Sequence, residues 1–337
     1  MKLNRWLIPA ALAAVLAMAA GCKKDETDTS KTLDGTLSLE MPVYVQVGYT
    51  KTFAIDTLMT VTCPEKYPVG YYFTDSETKK RDTLVTVDGI VRKPTFTVTV
   101  TDSLASRTLS LTAFVDSKAK YANKTASASF SVVKAGVDGT GSITRFDTAA
   151  SSGSFTDPRD GQQYYYTDNG GLSWMRQNLA WSGAGHAFYD YEVLSDIFGR
   201  YYTWEEAKTA CPEGWRLPTD AEWTALKAGA EPGKDIFGLA GKLMADLYFN
   251  GTRMWDYWRE VKISDELHFS VMPTGYALVS GDEFEFQALY SYAAFWTADE
   301  DGDKAACRYI FQNKDIVYRG WMSKSEFATT VRCVKEK

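Results

Sequence analysis

Residues 199–227, GRYYTWEEAKTACPEGWRLPTDAEWTALK, constrain the chain more than any other stretch. Two helix starts fall within it. Thr203 with Glu206, and Thr219 with Glu222, each form a T-x-x-E capping box. In such a box the threonine oxygen accepts from an orphan backbone N–H while the glutamate reaches back to the cap residue. Trp204, Ala207 and Cys211 then recur at helical spacing, which gives the first helix one apolar face. Pro212 and Gly214 stop that helix, since proline cannot continue the hydrogen-bond ladder and glycine tolerates the turn. Trp215 and Leu217 flank Arg216 as a short extended step into the core, and Trp223 and Leu226 share a face of the second helix.

The chain opens with a targeting pattern. Lys2 and Arg5 precede an apolar run, Leu7 to Ala20, that is short for a membrane span. Ala19-Ala20-Gly21-Cys22 resembles a bacterial lipobox, with alanine where leucine is more usual. Residues 1–21 are thus expected to be a lipoprotein signal peptide and Cys22 the lipidated first residue. Lys23-Lys24-Asp25-Glu26-Thr27-Asp28 resembles the acidic signal that sends Bacteroidota lipoproteins to the outer face of the outer membrane. A lipid anchor at the surface of a Gram-negative cell is therefore the expectation, with residues 22–35 a polar tether.

Between residues 36 and 134 the apolar pattern has period two. Thr95-Phe96-Thr97-Val98-Thr99-Val100 alternates, as do Leu109, Leu111 and Ala113, then Phe130 and Val132, and Val43, Val45 and Val47. Turn residues such as Asp88-Gly89 and Asp102-Ser103 punctuate these runs, which predicts an all-β immunoglobulin-like sandwich serving as a spacer. Residues 135–153 are rich in Gly, Ser, Thr and Ala and read as a linker with one strand around Ile143.

From residue 154 to 337 the pattern is α+β. Tyr164-Tyr165-Tyr166 and Leu172-x-Trp174 predict a hairpin turned by Asp168-Asn169-Gly170-Gly171. Residues 181–198 read as a surface loop, and 239–248 as a short helix or irregular segment. Short strands are expected at Val271-Met272, Ala293–Phe295, Arg308–Ile310 and Thr330–Val334.

Trp204-x-x-Ala207, the run from Cys211 to Thr219, and Glu222-Trp223 look like the signature of the FISUMP domain, the Fibrobacter succinogenes major paralogous domain. Further pieces agree in order: Phe155-Thr156-Asp157-x-Arg159-Asp160-Gly161, Trp174-Met175-x-x-Asn178-Leu179, Gly199-Arg200-x-Tyr202-Thr203-Trp204, Pro273-x-Gly275-Tyr276 and Val331-Arg332-Cys333-Val334. The resemblance covers residues 154–337. It implies a C-type-lectin-like fold, distantly related to formylglycine-generating enzymes, and a secreted or surface location; it implies no particular activity. Without Cys22, the four remaining cysteines allow three full pairings. The resemblance favours Cys211 with Cys333, leaving Cys63 and Cys307 as buried thiols.

The formal charge is −6, with no basic stretch in the body, which argues against a nucleic-acid partner. His186 and His268 are the only histidines and neither has metal-ligand spacing. No G-x-S-x-G elbow or phosphate loop occurs. The copper-binding cysteine pair of formylglycine-generating enzymes has no close match. An enzyme is therefore not the expectation.

Two constellations stand out as binding sites. Asp299, Asp301 and Asp303 alternate around Gly302 and offer hard oxygen ligands to calcium; the alternative is a solvated acidic hairpin tip. Aromatic residues make up 14% of the chain, more than the two cores need. Trp174, Trp204, Trp215, Trp223 and Trp296 fall at motif positions and belong to the core. Trp255, Asp256, Tyr257, Trp258 and Arg259 lie where the motif is weakest, so they form a candidate ligand platform, with rings for sugar stacking and charges for direction. The alternative is a local lid over the helices. The expected function is recognition of an extracellular glycan or surface protein. A structural envelope or filament component, or an enzyme of unknown chemistry, is the other class of reading.

Overall fold

The computed structural model describes residues 36–54, 69–76, 78–79, 81–87, 95–115, 125–137 and 141–337. Cys22, Cys63, the leader, the tether and the Asp88-Gly89 turn lie outside them. The described chain is mostly β, arranged in several small sheets.

The period-two segments form strands: β1 (Tyr44–Gln46), β2 (Thr50–Ala54), β3 (Val69–Asp75), β4 (Arg81–Val87), β5 (Thr95–Thr99), β6 (Thr108–Val115) and β7 (Thr125–Val133). One sheet has the order β1-β7-β6-β3-β4, with β1 parallel to β7, and β2 pairs with β5 separately. Phe53 and Val98 of the small sheet meet Val45, Phe73, Leu109, Leu111, Phe130 and Val132 of the large one in a single core. Alternation along each strand puts one face there, as the pleat requires.

The segment expected to be a linker is fastened to the C-terminal half. Its strand β8 (Ile143–Thr144) pairs with β13 (Tyr248–Phe249), which also pairs with β14 (Thr252–Arg253). Ser142 Oγ accepts the Lys134 N–H at 2.9 Å, and Asn250 Nδ2 donates to Val132 O at 3.1 Å. The Tyr44 ring meets Tyr191 edge-on at 5.2 Å. The sandwich thus abuts the C-terminal half through apolar packing and backbone bonds.

That half opens with β9 (Gly153–Thr156), β10 (Gln163–Asn169) and β11 (Leu172–Met175). β10 and β11 make the expected hairpin, and Gly170 and Gly171 take the positive φ of its turn (62° and 87°). Residues 181–198 follow the surface only in part: Tyr189, Asp190 and Glu192 are exposed, while Phe188, Leu194, Ile197 and Phe198 turn inward and are buried. After the one-turn α1 (Ser195–Phe198) come α2 (Trp204–Ala210) and α3 (Asp220–Ala225), each with its capping box complete. The short β12 (Ile236–Phe237) and α4 (Ala240–Leu243) come next.

The remaining strands are β15 (Tyr276–Ser280), β16 (Glu283–Gln287), β17 (Tyr292–Asp301), β18 (Lys304–Phe311), β19 (Ile316–Ser323), β20 (Phe327–Ala328) and β21 (Val334–Glu336). The expected strand at Val271-Met272 is only an isolated bridge from Val271 to Met244. The central sheet has the order β12-β19-β18-β17 and lies between two cores. Ala293, Phe295, Ile310 and Val317 face one core with Trp174, Trp223 and Trp255. Ala294, Trp296, Ala305 and Cys307 face the other with Trp204 and Ala207 of α2. Buried Asp220 fixes α3 to the first face, with Arg308 Nε at 2.7 Å and Arg319 Nε at 3.2 Å from its Oδ1.

The chain end closes the domain. β21 pairs with β11, and Cys333 is bonded to Cys211 at the end of α2, with Cα atoms 5.9 Å apart across 122 residues of sequence. Cys307 is a free, fully buried thiol whose pKa burial pushes up to about 12. A double Cys211→Ala/Cys333→Ala variant should lose about 2–4 kcal/mol in denaturant unfolding, since the crosslink restricts the unfolded chain. An unchanged unfolding midpoint would contradict this. Cys307 should resist a thiol reagent until the protein is unfolded.

Candidate functional site

The pleat places Tyr292, Cys307, Tyr309, Phe311, Ile316, Tyr318, Gly320 and Met322 on one face of the central sheet, because Tyr292 pairs with Phe311, Tyr309 with Tyr318, and Cys307 with Gly320. Over Cys307 that face is covered by α2's core. Toward Tyr309, Phe311 and Tyr318 it opens to solvent, and the rings form a row. Tyr276 meets Tyr292 at 5.2 Å between centroids, Tyr292 stacks on Tyr309 at 5.5 Å, and Tyr309 on Tyr318 at 5.3 Å. Phe311 is 43% exposed and touches both Tyr309 and Tyr318.

Gly320 lets Tyr309 lie close across β19; a Cβ there would come within 3.1 Å of the ring. Phe237, 66% exposed, extends the same face beyond β19, opposite Ile316. Phe237 also lines a groove of about 590 Å³ with Lys227, Glu231, Lys234 and Asp235. At the other end Leu278 and Glu285 are paired across β15 and β16, and Gln287 Nε2 donates to Glu285 Oε1 at 2.7 Å. The result is a shelf of rings with phenol hydroxyls on an otherwise polar surface. Tyr276, Tyr309 and Tyr318 are half-buried, Tyr292 is buried, and Phe311 and Phe237 are exposed; apolar surface gathered in this way is a candidate interaction site.

Charges at the shelf act on the phenols. Burial first, then Glu285, raises the Tyr276 pKa; burial and then Asp235 raise that of Tyr309. Both stay protonated at neutral pH and can donate as well as accept. Lys314, beside Tyr318, is held by Glu260 at 2.8 Å.

The platform expected at residues 255–259 is divided by the structure. Trp255 is fully buried, and its Nε1 donates to Val271 O at 2.8 Å, so it is a core residue and not part of a platform. The indole N–H is satisfied inside the fold by a carbonyl that also accepts the Ala245 N–H at 3.3 Å, so the ring can be buried at no cost in unpaired donors. Asp256, Tyr257, Trp258 and Arg259 are exposed, with Tyr257 at 76% and Trp258 at 42%. Glu260 ties the end of this loop to the turn after Phe311 through Lys314.

The aspartates of the expected calcium site are not gathered. Asp299 Oδ2 accepts the Asp220 N–H at 2.6 Å at the start of α3, while Asp301 and Asp303 sit exposed at the hairpin tip. Among the described residues no three His, Cys, Asp or Glu side chains converge as a metal site. At the tip, Lys324 binds Glu300 and the Gly302 carbonyl.

The shelf went unread in the sequence. Tyr309 and Phe311 alternate, as do Tyr318, Gly320 and Met322, but only the register of three strands shows that they share a face.

The two halves of the 255–259 loop should respond differently to truncation. Trp255→Ala should cost about 3–5 kcal/mol of stability, whereas Trp258→Ala should stay within about 0.5 kcal/mol. Equal losses in thermal or denaturant unfolding would contradict the burial described.

The family model of the Fibrobacter succinogenes major domain matches residues 168–335. Neither the curated proteins nor the solved structures yield a match. The matched span contains both capped helices, the Cys211–Cys333 bond and the whole ring shelf. Residues 168–335 of this chain are a Fibrobacter succinogenes major domain.

Proposed function

We propose that this protein is a surface-anchored lipoprotein whose C-terminal domain recognises an extracellular glycan through the shelf of Tyr276, Tyr309, Phe311 and Tyr318. The observation that carries the reading is the row itself: half-buried tyrosine rings with an exposed Phe311 beside them, and phenol hydroxyls along it. Sugars present an apolar C–H face and a rim of hydroxyls, so ring contact supplies affinity and phenol hydrogen bonds supply direction. Tyr257 and Trp258, on the neighbouring loop, are a second contact for a longer chain. The role proposed is binding rather than turnover.

A C-type-lectin-like fold is part of the proposal. It is supported by the pairing of β21 with β11 near the domain's start and by the bond from α2 to the last strand. The two packed sheets of residues 44–133 support an immunoglobulin-like spacer that holds this domain away from the membrane. An experimental structure with the last strand outside the β9–β11 sheet would remove the basis for the lectin-like reading.

Anchoring through Cys22 rests on the lipobox-like Ala19–Cys22 sequence, and surface exposure on the acidic residues after it. Cys22→Ser should abolish incorporation of labelled palmitate; retained label would overturn the anchor. For binding, Tyr318→Ala and Phe311→Ala should each weaken retention on a glycan array about tenfold or more while changing the melting temperature little. Stacking contacts in related settings are worth about 1–3 kcal/mol per ring. Wild-type protein that binds no glycan, or variants that bind as the wild type does, would contradict the proposal.

A further inference from the structure

The charges around the shelf limit which glycans it can take, an inference that rests on the glycan reading above. Acidic sugars, carrying uronate or sulfate, are held by Arg or Lys groups free to form charge-assisted bonds, above all by bidentate guanidinium. Most charged groups near the row can be followed to a partner. At the Tyr276 end stands Glu285, which accepts only from the neutral Gln287 amide. Beside Tyr309 stands Asp235, whose Oδ1 accepts the Arg319 backbone N–H at 2.9 Å.

The Arg319 side chain is on the opposite face of the sheet. It lies against buried Asp220 and over the Trp321 ring at 4.4 Å. Arg308 is fully buried on that same face, also against Asp220. Lys304 is aligned with Ser323 at the far end of the sheet, two residues beyond Trp321, and alternation places it on that opposite face too.

Beside Tyr318, Lys314 is paired with Glu260. Past Phe237, Lys227 Nζ is bound to the Phe237 and Gly238 carbonyls, and Lys234 shares its groove with Glu231 and Asp235. Beside Tyr276 and Tyr309 the charges that act on the phenols are the carboxylates of Glu285 and Asp235, the latter also facing the buried Arg308.

We infer that the shelf selects uncharged glycans and rejects anionic ones. An anionic sugar laid over Tyr276 and Tyr309 meets Glu285 and Asp235 and gains no cation in return; like charges brought together across an interface are costly. A neutral sugar meets only rings and protonated phenols, with the Glu285 carboxylate and the Gln287 carbonyl as acceptors for its hydroxyls. The selection is thus made by repulsion of the wrong ligand as much as by contact with the right one.

The full chain, assayed by affinity electrophoresis or biolayer interferometry, would be compared on neutral polymers (mannan, xylan, mixed-linkage glucan) and anionic ones (alginate, polygalacturonate, dextran sulfate). Binding to at least one neutral polymer is expected, with anionic polymers weaker by at least about tenfold, and with little change in the neutral affinity as salt is raised. Glu285→Lys should narrow the gap between the classes, while Glu285→Gln should move it part of the way. Equal or tighter binding to the anionic polymers would overturn the charge selection and leave the glycan reading standing. Silence on both classes would overturn the glycan reading and this inference together. Preference unchanged in Glu285→Lys would show that the shelf's charges do not set it, and would overturn the inference alone.

Discussion

Four consecutive residues near the C-terminus, Val331 to Val334, hold the C-terminal half together. Val331 O accepts the Leu179 N–H at 2.9 Å, and Cys333 O accepts the Met175 N–H at 3.0 Å. Val334 exchanges backbone bonds with Arg216 and is aligned with Trp174, and Cys333 carries the bond to Cys211. Between them Arg332 is fully buried with its donors on Asn178 Oδ1, Phe269 O and Met175 O. Burial without a carboxylate in contact pushes its pKa down to about 9, so the carbonyls must satisfy a charge that water no longer reaches. The segment therefore joins the opening hairpin, the α2–α3 connection and the 269–270 loop at once. Every other element of this half is arranged around that knot.

The central sheet depends on it in turn. Between α3 and β17, residues 239–271 cover one face with Trp255, Phe269 and Val271. α2 covers the other face only as far as Trp296, Ala305 and Cys307. Asp220 anchors both Arg308 and Arg319 on the first face, which leaves no cation of β18 or β19 on the second at the row of rings. The shelf's exposure and its sign of charge are thus two consequences of one packing arrangement. Removing one member of a buried ion pair leaves an uncompensated charge worth about 3–5 kcal/mol, so this arrangement is stiff.

What could be read from the sequence was local. Both capping boxes, the Gly170-Gly171 hairpin, the helix stop at Pro212 and the burial of Trp174, Trp204, Trp223 and Trp296 come from rules acting within a few residues. The Cys211–Cys333 pair came from likeness to a domain family, because spacing alone left three pairings open. The fate of Trp255 was not legible: its neighbours Asp256 and Arg259 are polar, yet a carbonyl 16 residues later receives its indole N–H. The shelf was hidden for a similar reason. Tyr276, Tyr292, Tyr309 and Tyr318 are spread over 43 residues and meet only through register across strands, which a single sequence does not specify. Residues 181–198 looked like a surface loop because two glycines, two tyrosines and several polar residues are interspersed with the four apolar side chains that turn inward.

The central claim is that a rigid row of rings, left open where α2 ends, is where this domain meets its ligand. Hydroxyl-radical footprinting of the full chain with and without a bound neutral oligosaccharide tests it most directly, because aromatic side chains report their own exposure. Protection should concentrate on Tyr309, Phe311 and Tyr318, with Tyr276 protected less and the buried Trp255 unchanged. Protection confined to the Asp299–Asp303 tip or to the N-terminal sheets, with the row still fully reactive, would contradict it.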